Sequence, residues 1–422
     1  MTWTPVLTAF SALLAAQVAA DTWLDVLNRC HVRTHADKPP EGLRDVMDAE
    51  TYQRSVQYTL AKNSFGQWES GYDALWQFAW LGLGLLPPLY HWLAGILGNS
   101  LWGQAATLCV LGIIMAVPGL PWSWAAQFRL EARFGFNKST PKIWVTDLFK
   151  GMAVGLVLGY PLLCLVLWFF RRQPVWWWLW AWAALLAFQL VMVALAPRLI
   201  MPLFNKLTPM PEGELRATLL ALAERTGFRC AAIDVMDGSK RSTHSNAFFT
   251  GFGRFRRIVL FDTLIAQLAP REVEAVLAHE IGHYRRGHVP KMLALSAFSS
   301  LAGLWLVAWL AGQKWFYEGF RFSPDDGMPA VLLLFALVAP LVTFWAHPLG
   351  NWWSRRHEYE ADAFARTAMG EAAPLVSALR KLHEKNLGNL TPHPAYSFFH
   401  YSHPTLIERE AALRAPAASI LA

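Results

Sequence analysis

Seven stretches of this chain are apolar for long enough to cross a bilayer: residues 5–27, 75–97, 101–120, 152–170, 175–196, 292–311 and 329–346. A backbone in hydrocarbon must satisfy its own hydrogen bonds, so each stretch is read as a helix. Over 422 residues the chain is 55% hydrophobic and 16% charged, with a mean hydropathy of +0.27, which is too apolar for an ordinary soluble enzyme of this size. Tryptophans cluster where spans would meet the headgroups, as in Trp176-Trp177-Trp178 and Trp352-Trp353. The first stretch has a second reading. Ala19-Ala20 before Asp21 resembles a signal cleavage site, but no basic segment precedes it, and a retained span is expected.

Seven spans put the segments after the first, third, fifth and seventh on one side of the membrane. Those segments carry the basic residues, including Arg29, Arg33 and Arg44 in the first and Arg129, Arg133, Lys138 and Lys142 in the second. The opposite connections offer Arg171, Arg172, Lys314 and Arg321. The positive-inside rule therefore expects both long polar regions, 197–291 and 347–422, in the cytoplasm. The expected organisation is spans one to five within 1–196, a cytoplasmic part at 197–291, spans six and seven within 292–346, and a cytoplasmic C-terminal part at 347–422. The expected fold class is mainly α, a seven-span helical membrane protein whose cytoplasmic domain carries a small β-sheet. In the first polar region 215–226 reads as an amphipathic helix ended by Gly227, and 231–236 as a strand. Phe248-Phe249 and Ile258-Val259-Leu260-Phe261 read as a hairpin around a turn at 251–256. The net charge of +7 comes with no long basic run or aromatic-basic interleaving, so the expected partners are a lipid bilayer and a peptide or protein, not nucleic acid.

Chemistry enters with His279-Glu280-Ile281-Gly282-His283. On a helix, residues four apart share a face, so the two imidazoles can bind one ion while Glu280, about 100° round, faces a bound water. The bland alternative is a pair of core histidines. Cys30, Cys109, Cys164 and Cys230 show no paired spacing, so a zinc ion here must use imidazole and carboxylate. Arg286 and Val289 stand where a metzincin would continue with Gly and His, which excludes that class; His288 reads as a surface or helix-end residue. A third ligand should be a carboxylate on another helix, and the run Arg355-Arg356-His357-Glu358-Tyr359-Glu360-Ala361-Asp362 supplies one. Glu358 and Asp362 share a face, the first placed to coordinate and the second to accept the spare N–H of a ligand histidine, whereas Glu360 points nearly the opposite way. A solvated charged helix face is the competing reading of this run.

The ordered set of motifs resembles the type I CAAX prenyl proteases. It comprises HEIGH, SRRHEYEADAFA, FRLEARFGFNKST from Phe128, PLFNKLTP from Pro202, DGSKRSTHSNAFFTGF from Asp237 and YSHP from Tyr401. The resemblance implies a membrane zinc endopeptidase whose seven spans enclose a chamber, with one Zn2+ per chain held by His279, His283 and Glu358 and with Glu280 as the catalytic base. It further implies that Asn246, Ala247 and Phe248 form an edge strand to which substrate pairs, and that His403, supported by Arg409, stabilises an oxyanion. Read without the resemblance, Asn246 is a turn residue and His403 and Arg409 are capping or packing residues. The N-terminal flank, with Asp21 and Asp25, departs from the more basic pattern of such proteins. Expected substrates are prenylated CAAX-type proteins or other membrane-associated peptides, the latter in quality control; a transporter or receptor without enzymatic activity is the alternative of another class.

Overall fold

The computed structural model describes residues 4–250 and 256–415. Six helices are long and apolar enough to span a membrane: Pro5–Thr34, Leu101–Glu131, Pro141–Arg172, Trp177–Phe204, His288–Ala311 and Pro324–Met369. Hydroxyl side chains start several of them. Thr4, Ser100 and Thr140 each accept a backbone N–H from the first turn, and Pro5 and Pro141 follow where a missing N–H is harmless.

The second expected span is not one straight helix. Ala49–Gly82 and Leu86–Leu97 meet at a bend of 67°. Gly84 takes a positive φ of +79°, and Pro87 and Pro88 supply no backbone donors to continue the ladder across the break. Arg321, far along the chain, lies against Gly84 and donates to the exposed carbonyls of Leu81 and Gly82 at 3.4 and 3.0 Å. That contact replaces the helical hydrogen bonds lost at the bend.

Ala19-Ala20 lies inside the unbroken helix Pro5–Thr34. Leu7, Phe10 and Leu14 of that helix are buried in the membrane core, and Thr4 donates to the Gly319 carbonyl at 3.0 Å. The last helix buries 44% of its most apolar window, whereas the other five straight ones bury 6 to 17%. The spans therefore meet along narrow seams and leave most of their surface unburied.

The second core forms around a four-stranded sheet of β1 (Leu207–Pro209), β2 (Ala232–Met236), β3 (Ala247–Thr250) and β4 (Arg257–Phe261), ordered β1-β2-β4-β3. β1 is antiparallel to β2, β2 runs parallel to β4, and β3 is antiparallel to β4 with Ala247 opposite Leu260. The expected hairpin strands are thus present; of its turn, residues 251–255 lie outside the described residues. β3 ends the sheet with one free edge. The amphipathic helix expected at 215–226 is Glu214–Arg225, ended by Gly227 at φ +65°.

Candidate metal centre and peptide cleft

Helix Pro270–Arg285 starts at a proline, and Glu272 folds back to accept the Ala269 N–H at 2.7 Å. Val273, Leu277, Ala278 and Ile281 go into the core around the sheet, while His279 and His283 stand one turn apart facing helix His347–Met369. The two helices touch at Gly282. A Cβ built there would lie 2.9 Å from both the Cα and the carbonyl oxygen of Ala361, so any side chain would have to push backbone away. A glycine at this position is what lets Glu358 reach the imidazoles.

Three side chains converge as a result. His279 Nε2 and His283 Nε2 are 3.1 Å apart, and the carboxylate oxygens of Glu358 lie 3.4 Å from the first and 3.3 Å from the second. Ligand atoms bound tetrahedrally at about 2.0 to 2.1 Å are separated by about 3.3 Å, so these distances match the edges of one zinc coordination face. Glu358 Oε2 is buried with no hydrogen-bond partner, a costly arrangement that a cation resolves. The residues fit a zinc ion.

Electrostatics agree with that donor set. Burial alone would raise the Glu358 carboxyl, but the imidazoles of His279 and His283 hold it well below the usual carboxylate range, so it stays anionic. Burial likewise opposes charge on His279, yet Asp362 and Glu358 outweigh it and lift the pKa to about 9. Zinc binding at neutral pH therefore displaces a proton from this ring. Burial pushes the Glu280 carboxyl up from its ordinary value, against the pull of the His279 and His283 imidazoles. Its carboxylate faces the cleft, outside every hydrogen bond and ion pair among the described residues.

Both rings are oriented from behind. Asp362 Oδ1 lies 2.8 Å from His279 Nδ1, which keeps the proton there and leaves Nε2 for the metal. His283 Nδ1 lies 2.9 Å from His288 Nδ1, and His288 Nε2 lies 3.2 Å from Glu360. Proton placement on all three rings is consistent when His283 donates to His288 and His288 donates to Glu360. His288 is therefore not at the surface: it is 1% exposed, opens the helix that follows Gly287, and stacks on His357 at 4.0 Å. Glu360 does point away from the ligand cluster, but into this relay. Replacing either His288 or Asp362 by Ala should weaken zinc binding roughly 10- to 100-fold. Competition against a chelating dye measures this, and unchanged affinity in His288→Ala removes the relay from the site.

Arg409 is 8% exposed and grips Asp362 through Nε at 2.8 Å and Nη2 at 2.6 Å, while Nη1 stands 3.6 Å from Glu358. It borders the cleft, but its hydrogen-bonding nitrogens are directed into the ligand cluster, where they brace Asp362. His403 Nε2 lies 3.4 Å from Glu358 Oε1, and its ring is 64% exposed to the cleft. Enclosure within the cleft lowers its pKa despite the Glu358 carboxylate. It is not a helix cap, since Thr405 fills that role with Glu408. The loop that carries His403 is tied to the Glu358 helix by Arg355, which donates to the Tyr401 carbonyl at 2.6 Å.

The cleft holds about 600 Å3 and is lined by His279, Glu280, Glu358 and His403 on one side and Ser245, Asn246 and Ala247 on the other. Phe261 N–H donates to Asn246 O, so the alternation of an antiparallel pair turns the backbone groups of Ala247 and Phe249 to the free edge of β3. The Asn246 side chain covers the Ala247 N–H at 2.8 Å. Sequence reasoning missed what fixes this strand: His244 lies 2.9 Å from Asn386 Oδ1 and 3.5 Å from Glu131, and stacks on Phe136 at 4.3 Å. His244, Glu131 and Phe136 sit within quoted motifs and Asn386 outside them, and single side chains far apart in sequence carry no periodic signal that would join them.

Residues 28–206 match the family described as CAAX prenyl protease N-terminal, five membrane helices, and residues 209–417 match peptidase family M48. The chain is 34% identical to CAAX prenyl protease 1 of Saccharomyces cerevisiae, over 97% of this chain and 95% of that one. It is 32% identical to the Homo sapiens CAAX prenyl protease 1 homolog, over 93% and 92% respectively. The crystal structure of S. mikatae Ste24p superposes with a TM-score of 0.91 at 32% identity, covering 98% of this chain and all of that one.

Proposed function

Because the chain belongs to peptidase family M48, as a multi-pass membrane zinc metalloendopeptidase, we propose that it cleaves the C-terminal tails of prenylated CAAX-type proteins on the cytoplasmic side of its membrane. His279, His283 and Glu358 hold the zinc in this reading, and Glu280 moves the proton. The separations of 3.1 to 3.4 Å between the two imidazole nitrogens and from each to an oxygen of the Glu358 carboxylate carry the reading, beside a cleft walled by a free strand edge. A non-enzymatic transporter or receptor does not agree with the family. Peptide substrate and lipid, and no nucleic acid, are the proposed partners.

Bound zinc supplies a Lewis acid that polarises the scissile carbonyl and makes water acidic enough to lose a proton near neutral pH. Everything else comes from the chain. An extended substrate pairs with the outward N–H and C=O of Ala247 and with Phe249 along β3, after the Asn246 side chain yields the Ala247 amide. Glu280 accepts the proton of the attacking water as its oxygen bonds to the carbonyl carbon. The carbon–nitrogen bond then breaks, and Glu280 returns that proton to the leaving amine nitrogen. His403 Nε2–H donates to the carbonyl oxygen as negative charge gathers there. Arg409 acts through Asp362 as a positioning residue.

Strand-edge pairing is indifferent to most side chains, and this favours a second reading, clearance of unprenylated membrane-associated peptides. Hydrolysis of a farnesylated CAAX peptide against its unprenylated twin separates the two, with a chelator control. The prenylated peptide should be cut at least tenfold faster; equal rates remove prenyl specificity and leave general membrane proteolysis.

A further inference from the structure

A second cavity of about 710 Å3 shares no lining residue with the peptide cleft. Its walls are the first turns of helix Pro141–Arg172, the segment from Pro197 to Leu207 at the end of the following span, and the central strands of the sheet at Asp234 and Arg257. The apolar stretches of those two spans begin at residue 152 and end at 196, so the cavity lies just beyond the hydrocarbon, at headgroup depth.

Four lysines and three arginines line it against three aspartates. Two aspartates are already paired. Arg241 grips Asp147 at 2.9 and 3.1 Å, and Arg257 grips Asp234, which is 1% exposed, at 2.8 Å. Asp237 accepts the backbone N–H of Lys206 at 2.6 Å. Lys142 and Lys150 stand two turns apart on one helix face, and Lys150 ties the walls together by donating to the Leu203 carbonyl at 2.6 Å. Lys206 and Lys240 come from the other walls, and among the described residues no carboxylate pairs with the ammonium of Lys142, Lys206 or Lys240. Like charges held together by such braces raise the local potential and favour an anion. Beside the cavity, the apolar side chains of Phe149, Leu199 and Leu203 are 58%, 62% and 47% exposed.

We propose that this cavity binds the phosphate-bearing headgroup of an anionic phospholipid, whose acyl chains lie along Phe149, Leu199 and Leu203. Basic recesses between membrane helices at the interface recognise such headgroups by charge, and the adjoining apolar surface separates a lipid from a free anion.

The full chain in neutral detergent tests this with three probes: dioleoylphosphatidylglycerol, dioleoylphosphatidylcholine and inorganic phosphate. Thermal unfolding and native mass spectrometry provide the readouts. The glycerol lipid should raise Tm saturably and remain bound, whereas the choline lipid and phosphate should do neither. At about fivefold per lysine, Lys142→Gln/Lys206→Gln/Lys240→Gln should weaken apparent affinity roughly a hundredfold. Lys240→Glu, at an exposed position that the fold does not need, should weaken it in the same direction. Equal stabilisation of wild type and both variants overturns the proposal, as does an equal effect of the choline lipid. An equal shift by inorganic phosphate alone assigns the cavity to a soluble anion and also overturns it.

Discussion

Glu280→Gln should retain one zinc per chain and lose hydrolysis by on the order of 10³-fold, the scale of one positioned acid–base group. The reason is geometric. Gln keeps the volume of the side chain and leaves His279, His283 and Glu358 with the Asp362 and His288 contacts that orient them. What disappears is the carboxylate that faces the cleft and whose pKa burial raises. The loss should therefore fall on kcat with little change in KM, because the strand edge that binds substrate is untouched. Zinc content by atomic emission and single-turnover rates on one sample check it. Turnover within tenfold of wild type would require another proton carrier, and His403, 3.4 Å from Glu358, would be next in line.

The spans and the ligand pair were legible because both repeat locally. Apolar length marks a helix in hydrocarbon, and a spacing of four puts His279 beside His283 whatever surrounds them. Glu358 was legible for the same reason, once two imidazoles needed a carboxylate on a second helix. The bend at Gly84 was not. It depends on Arg321, more than two hundred residues later, to satisfy the carbonyls of Leu81 and Gly82. His288 does stand at a helix end, as the preceding Gly287 signals, but the surface half of that reading fails. Its burial comes from the stack on His357 and the contact with Glu360, which belong to another helix. Gly282 gives no signal of its own within the pentad, yet its missing side chain permits the close approach of the two helices at Ala361.

Metal site and membrane part are joined by that same helix pair. Helix Pro270–Arg285 is followed, after Arg286 and Gly287, by His288–Ala311, and Pro324–Met369 runs from the seventh span through Glu358 with a 3-10 turn at Phe344–Ala346. The helix of the seventh span thus carries Glu358, whereas the histidine helix joins the sixth span through a turn at Gly287, whose φ is +68°.

Glu358→Ala tests whether those halves meet on one ion. Two imidazoles 3.1 Å apart remain, with neither the anionic ligand nor the third corner of the coordination face. Zinc affinity should fall by more than the roughly 10- to 100-fold of a supporting contact, leaving well under one ion per chain after dialysis and no measurable hydrolysis. Glu280→Gln loses activity with metal retained; Glu358→Ala loses both together. Neither neighbour can substitute. Glu360 is engaged with His288 at 3.2 Å, and the His357 ring is stacked on His288 instead of facing the cluster. Arg409 keeps its hold on Asp362, so the helix packing should survive, and a near-native Tm separates metal loss from unfolding. A folded Glu358→Ala protein that still carries stoichiometric zinc would dissolve the three-ligand assignment.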